Sequence, residues 1–281
     1  MEKYLNSENI DLLKIADLYK NQYFNSKPFP NIHFENFFTP SILESILDEF
    51  PDLSKVESLI YKNKREIKLA GKGEIHFGTM TKDFMRFLNS EPFLNFLQIL
   101  TGTKDSLIGD PYFWGGGQHE IKKGGLLKIH ADFNKHPTFD LDRRINVLIY
   151  LNKEWKEEYG GYLELWDKNM EKCEKRILPQ FNTLVVFSTT DFSYHGHPDP
   201  LNCPQNMSRK SLALYYYSNG RPLSEIKDQS IAHSTLFKER ANNMDDKIAL
   251  KKNKTLNIRS IITLITPPII IKTMKIIFNK K

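Results

Sequence analysis

Lys128-Ile129-His130-Ala131-Asp132 is the stretch on which the reading of this chain turns. Its apolar flanks give it the texture of a strand. Side chains alternate faces along a strand, so His130 and Asp132 point the same way. One more histidine from a distant strand would set two imidazoles and a carboxylate on one face of a metal. That facial arrangement leaves coordination positions open and suits Fe(II). Alone, His-x-Asp is a common tripeptide. Its meaning depends on whether the chain downstream supplies the other parts in order.

The chain has 281 residues, enough for one large domain or two small ones, and its composition is globular. Its two cysteines, Cys173 and Cys203, make neither a disulfide framework nor a Cys-x-x-Cys zinc knuckle. Met1 to Lys20 mixes charge with apolar residues and lacks a signal-peptide core, so a cytoplasmic, reducing location is expected. The formal net charge is +6, and much of it lies at the C-terminal end.

The first hundred residues read as mainly helical. Ser7 to Tyr23 carries an apolar face of Leu12, Ile15, Ala16, Tyr19 and Tyr23. Asn31 to Phe37 alternates as a strand. Thr39-Pro40 has the form of a helix start, with a capping Thr and Pro at the first helical position. Lys55 to Gly78 is polar and reads as a solvated surface loop. Thr81 to Leu100 returns to helical spacing, split near Ser90-Glu91-Pro92.

From Pro111 the texture becomes β. Gly115-Gly116-Gly117 opens no helix, so it marks a bend or bulge and not a phosphate loop. His119-Glu120 lacks the second histidine of a zinc-protease motif, since Lys123 stands there. Short strands are expected at Leu126–Asp132, Arg144–Asn152, Tyr162–Trp166, Lys175–Pro179, Thr183–Ser188, Tyr194–Pro198 and Arg209–Ser218. Seven or eight such strands without intervening helices predict a sandwich or barrel, mainly β with N-terminal helices, an α+β fold.

His130-x-Asp132, Ile149-Tyr150-Leu151-Asn152, Gly160-Gly161-Tyr162-Leu163, His195-Gly196 and Ser208-Arg209-Lys210-Ser211 stand in a specific order. In that order the chain resembles the Fe(II)/2-oxoglutarate-dependent dioxygenases, and within them the prolyl-4-hydroxylase-like group. The resemblance covers about Pro111 to Asn219. It implies a double-stranded β-helix (jelly roll) with His130, Asp132 and His195 holding iron. His195 is chosen over His197 because the family pattern puts the ligand before Gly. The implied cofactors are Fe(II), 2-oxoglutarate and O2, with ascorbate as an accessory. A buried co-substrate carboxylate needs a fixed cation, and Arg209 is placed to clamp it with a planar fork. Tyr150 matches a position that hydrogen-bonds the same carboxylate, with Leu148 and Leu163 lining the pocket. His197 is expected to line the pocket or the substrate mouth, and His136 to sit in a loop at the surface or facing substrate.

The resemblance further implies a hydroxylase acting on an unactivated C–H bond, with succinate and CO2 released. Retention of Asp132 disfavours halogenation, since related halogenases carry a small residue there. The substrate is expected to be a prolyl residue of a peptide or a small metabolite. Asp140, Asp142, Arg143 and Arg144 fall in what reads as a solvated loop, and no nucleic-acid platform is expected from Tyr215-Tyr216-Tyr217. The second function class is a non-catalytic, cupin-like binding or scaffold protein on the same jelly roll; the complete His130, Asp132, His195 and Arg209 set argues against it.

One oxygenase domain is expected over 1–248: helical support over 1–105, β core over 106–222 and an extension over 223–248. A basic, isoleucine-rich tail follows over 249–281, with eight lysines and arginines and no acid. Its apolar run, broken by Arg259 and Pro267-Pro268, falls short of the roughly 20 residues a membrane span needs. It reads either as a basic amphipathic segment on the inner membrane surface or as a helix pair packing on the domain or a second subunit. Flotation of the full-length protein with anionic vesicles separates the two: co-migration is the membrane outcome, and none excludes it.

Overall fold

Residues 2–225, 232–241 and 243–250 are described in a computed structural model of the chain. They belong to one unit, Met1–Leu250. The tail reading falls on 249–281, and all of it from Lys251 onward lies outside the described residues. No helix among the described residues is long and apolar enough to cross a membrane.

Asp11 caps the first helix by accepting from the Lys14 amide at 3.0 Å, and α1 (Leu12–Asn25) turns Leu12, Ile15, Ala16 and Tyr23 inward. Strand β1 (Asn31–Glu35) leads to α2 (Pro40–Asp48). Pro40 opens that helix as expected, but Thr39 does not cap it. Its hydroxyl donates instead to the Leu5 carbonyl at 2.8 Å.

The stretch from Lys55 to Gly78 corrects the loop expected there. It contains an antiparallel hairpin, β2 (Leu59–Lys62) and β3 (Glu66–Ala70). Asn63 closes the turn by accepting the amides of Arg65 and Glu66 at 2.8 and 3.2 Å. Many of its lysines and arginines occupy exposed or half-buried positions, which hid the period-2 pattern. Two helices follow, α3 (Thr79–Leu88) and α4 (Glu91–Thr101), divided at Asn89-Ser90, with Pro92 in the first turn of α4.

The remaining strands are β4 (Ile108–Gly109), β5 (Gly117–Lys122), β6 (Leu126–Ala131), β7 (Asp142–Tyr150), β8 (Leu163–Trp166), β9 (Cys173–Ile177), β10 (Thr183–Ser188), β11 (Tyr194–His197), β12 (Ser208–Ser218) and β13 (Leu236–Phe237). The main path runs β1-β10-β7-β12-β5-β3-β6-β11-β8-β9, with neighbours antiparallel. This is the double-stranded β-helix with helical support. Strand β3, from the N-terminal part, bridges β5 and β6 and joins the two halves.

Alternation along β7 sorts the interior. Ile145, Val147 and Ile149 pack with Leu212, Leu214, Leu184 and Val186 against Phe84, Phe93 and Phe96 of the helices. The opposite face sends Leu148 and Tyr150 toward Leu163, Leu165, Val185 and Phe187. Each such side chain contributes about 1.5–3 kcal/mol by leaving water. The helices therefore cover one face of the β7 layer and leave the other face to the cavity.

The C-terminal extension returns to β6. Strand β13 pairs Leu236 with Ala131 and Phe237 with His130, and α5 (Met244–Leu250) brings in Asp246. The Asp246 carboxylate is fully buried and meets Lys128 Nζ and Arg240 Nε, each at 2.8 Å. Asp246→Ala would leave the buried Lys128 ammonium without this acid. It is expected to lower unfolding free energy by roughly 3–5 kcal/mol in urea titrations, and a loss below about 1 kcal/mol would mean that water reaches Lys128.

Candidate metal centre

Strands β6 and β11 are neighbours, and His195 lies directly across from His130, with ring centroids 4.5 Å apart. Asp132 follows β6 with its side chain on the His130 side. The ligand atoms of His130, Asp132 and His195 all lie within 4.8 Å of one another. His130 Nε2 is 3.5 Å from one Asp132 oxygen, and His195 Nε2 is 3.4 Å from the other.

The second nitrogen of each ring settles how these imidazoles are presented. His130 Nδ1 donates to the Lys128 carbonyl and His195 Nδ1 to the Ser193 carbonyl, both at 2.9 Å. A carbonyl can only accept, so each Nδ1 carries a proton and each Nε2 is turned toward the Asp132 carboxylate. Burial pushes His195 down to about 4, which keeps it neutral. Two imidazoles and a carboxylate converging on one point form a donor set that fits a divalent metal.

Asp132 is held from behind. One of its oxygens accepts from Arg143 Nη2 at 3.0 Å and from Asn146 Nδ2 at 2.7 Å. The Asn146 oxygen accepts from Arg143 Nε and Nη2 at 3.0 and 2.6 Å, so the amide orientation is fixed. The Arg143 guanidinium lies between the rings of Tyr215 and Phe133, 3.4 and 4.3 Å from their centroids. Burial disfavours charge on Asp132, but Arg143, His195 and His130 together hold its carboxyl well below the usual range.

A cavity runs from this group between the two layers. Leu148, Leu163, Ser211 and Arg209 line it away from Asp132, and Lys68, His119 and Tyr215 line it elsewhere. Arg209 is buried; its Nε donates to the Gly161 carbonyl at 2.9 Å and its Nη2 to the Tyr150 hydroxyl at 3.0 Å. Gly161 has φ +71°, and a Cβ there would fall 2.5 Å from Leu201 and 3.1 Å from Arg209. Burial raises the Tyr150 pKa despite Arg209, so the phenol keeps its proton and can donate it. Lys210 points the other way, toward Phe50 and Ser208.

The structure thus brings His130, Asp132, His195, Arg209, Leu148 and Leu163 into one cavity, with Tyr150 bonded to Arg209. It corrects two other expectations. His136 is buried, its Nδ1 accepting the amides of Thr138 and Phe139 and its Nε2 lying 3.6 Å from Asp110. Asp142, Arg143 and Arg144 are buried in β7, and only Asp140 keeps the solvated character expected of all four. Arg143 and Asn146 went unrecognised as supports of Asp132, as did Phe237, whose ring packs 5.6 Å from that of His130.

Residues 117–217 match the model of the 2OG-Fe(II) oxygenase superfamily. The match takes in His130, Asp132, His195 and Arg209 but less than half of the chain. Mouse (Mus musculus) prolyl 3-hydroxylase OGFOD1 is 30% identical over 79 residues, 27% of this chain but only 14% of that protein's length. A prolyl-4-hydroxylase from Pseudomonas putida superposes with a TM-score of 0.54 at 14% identity, covering 73% of this chain and 100% of that one. A Trichoplax adhaerens prolyl hydroxylase, solved with a hypoxia-inducible-factor peptide fragment, also gives 0.54 at 18% identity, covering 78% and 96%. At these identities the two solved structures establish the fold alone.

The lowered His195 pKa predicts a pH dependence in the metal-free protein. The unfolded chain takes up a proton near the ordinary value of 6.5, whereas the folded chain does so only near 4. Stability is therefore lost as pH falls from 6.5 toward 4. Denaturant midpoints measured across that range should fall, and His195→Asn should flatten the slope; equal slopes would overturn the assignment.

Proposed function

We propose that this chain is an Fe(II)- and 2-oxoglutarate-dependent dioxygenase that hydroxylates an unactivated C–H bond and releases succinate and CO2. One observation carries the reading: the same cavity has a His-Asp-His donor set and a buried arginine, Arg209, that is bonded to Tyr150. His130, Asp132 and His195 would hold the metal. When bound there, iron with 2-oxoglutarate and O2 supplies the oxidation of the C–H bond.

The chain's own residues prepare the site. Lys128 and Ser193 carbonyls orient the two imidazoles, and Arg143 and Asn146 orient the carboxylate. Arg209, with two of its N–H groups already engaged by Gly161 and Tyr150, keeps its fork rigid and offers its charge to the distal carboxylate of 2-oxoglutarate. Tyr150, whose hydroxyl oxygen accepts from Arg209, donates its one proton to the same group. Leu148 and Leu163 exclude water from the methylenes between. The substrate is a prolyl group of a peptide or a small metabolite, and the partial identity with a prolyl 3-hydroxylase supports the first.

The test is succinate formation from 2-oxoglutarate with Fe(II), O2 and ascorbate, including turnover uncoupled from substrate. Wild type should release succinate, and Asp132→Ala should fall to background. Wild type that neither binds iron nor turns over would sink the reading. Arg143→Met, which keeps the bulk but not the hydrogen bonds, is expected to weaken metal affinity by roughly 10- to 100-fold in chelator competition.

A further inference from the structure

His197 is a buried histidine that the site described above does not use. It is 4% exposed, it lines the cavity, and neither ring nitrogen has a hydrogen-bond partner among the described residues. A buried imidazole in that condition forgoes about 1–3 kcal/mol of hydrogen bonding per group unless a ligand supplies it. The other cavity histidines are engaged: His130, His195 and His119 each bond a backbone carbonyl.

Register places His197 at a defined depth. On β11, His195 pairs with Leu165 and Gly196 with Glu164 of β8, so His197 comes level with Leu163. On the other side it pairs with Leu127 of β6, beyond the His195–His130 pair. Being two residues from His195, it points into the cavity on the same face. Leu163 in turn lies two residues from Gly161, whose carbonyl accepts from Arg209. His197 therefore sits away from the metal ligands, in the part of the cavity where Arg209 enters.

We propose that His197 is a second anchor for the distal carboxylate of 2-oxoglutarate, donating a ring N–H to the oxygen that the Arg209 fork leaves free. The proposal rests on the functional reading above and adds His197 to Arg209 and Tyr150 as a determinant of that co-substrate's specificity.

Calorimetry with the full-length protein loaded with Mn(II) tests it, using 2-oxoglutarate and 2-oxobutyrate. The second ligand keeps the chelating 2-oxo acid but lacks the distal carboxylate. His197→Leu should weaken 2-oxoglutarate binding on the order of 10- to 100-fold and leave 2-oxobutyrate and Mn(II) affinities within about twofold. His197→Gln, which retains a donor, should recover part of the loss. Melting of the ligand-free His197→Leu protein should occur at an unchanged or higher temperature, because no native hydrogen bond is removed. Unchanged 2-oxoglutarate affinity in His197→Leu, equal weakening of both acids, or a lower ligand-free melting temperature would each overturn the proposal. A wild type that binds neither acid would defeat the functional reading itself, and the proposal with it.

Discussion

A carboxylate placed beside two imidazoles in a dry interior is costly unless positive charge and hydrogen bonds surround it. Asp132 meets that constraint through Arg143 and Asn146 on one of its oxygens, and much of the local structure follows from it. Arg143 must itself be desolvated, so it is flanked by Phe133 and Tyr215. Asn146 must present its amide one way round, so Arg143 takes its oxygen. The site is a chain of dependencies in which each buried polar group answers the one before it.

The same logic organises the other part of the cavity. Gly161 leaves room where a Cβ would crowd Leu201 and Arg209, and Arg209 is steadied by the Gly161 carbonyl and Tyr150. The helices take no direct part in this chemistry. Their phenylalanines cover the far face of β7, β10 and β12, which leaves the near face free to carry Asn146, Leu148, Arg209 and Ser211.

Much of this was legible in the residues. The inward and outward sets of β7 followed from simple alternation, and the choice of His195 over His197 came from the family resemblance, which places a ligand before Gly. Arg143 did not, for a specific reason. Ile145 pairs with Tyr216 and Arg143 with Tyr217, so β7 carries an extra residue at Arg144 opposite consecutive residues of β12. Such a bulge reverses the alternation beyond it, and no short sequence pattern announces it. The hairpin of β2 and β3 was missed for another reason: its many cations resemble a loop when the neighbour that buries the other face is unknown. His136 was misplaced because its partner Asp110 lies on a separate segment.

The pairing of β13 with β6 carries one more consequence. One edge of β6 is occupied by β11, while the other is shared between β3 near Leu126–Leu127 and β13 at His130–Ala131. The strand that bears His130 is thereby closed on both sides, although the second closure comes from residues more than a hundred positions downstream. An open strand edge is a template for intermolecular pairing. A chain ending before Leu236 would present part of the His130 strand to any neighbouring molecule, so the extension acts as a guard against aggregation.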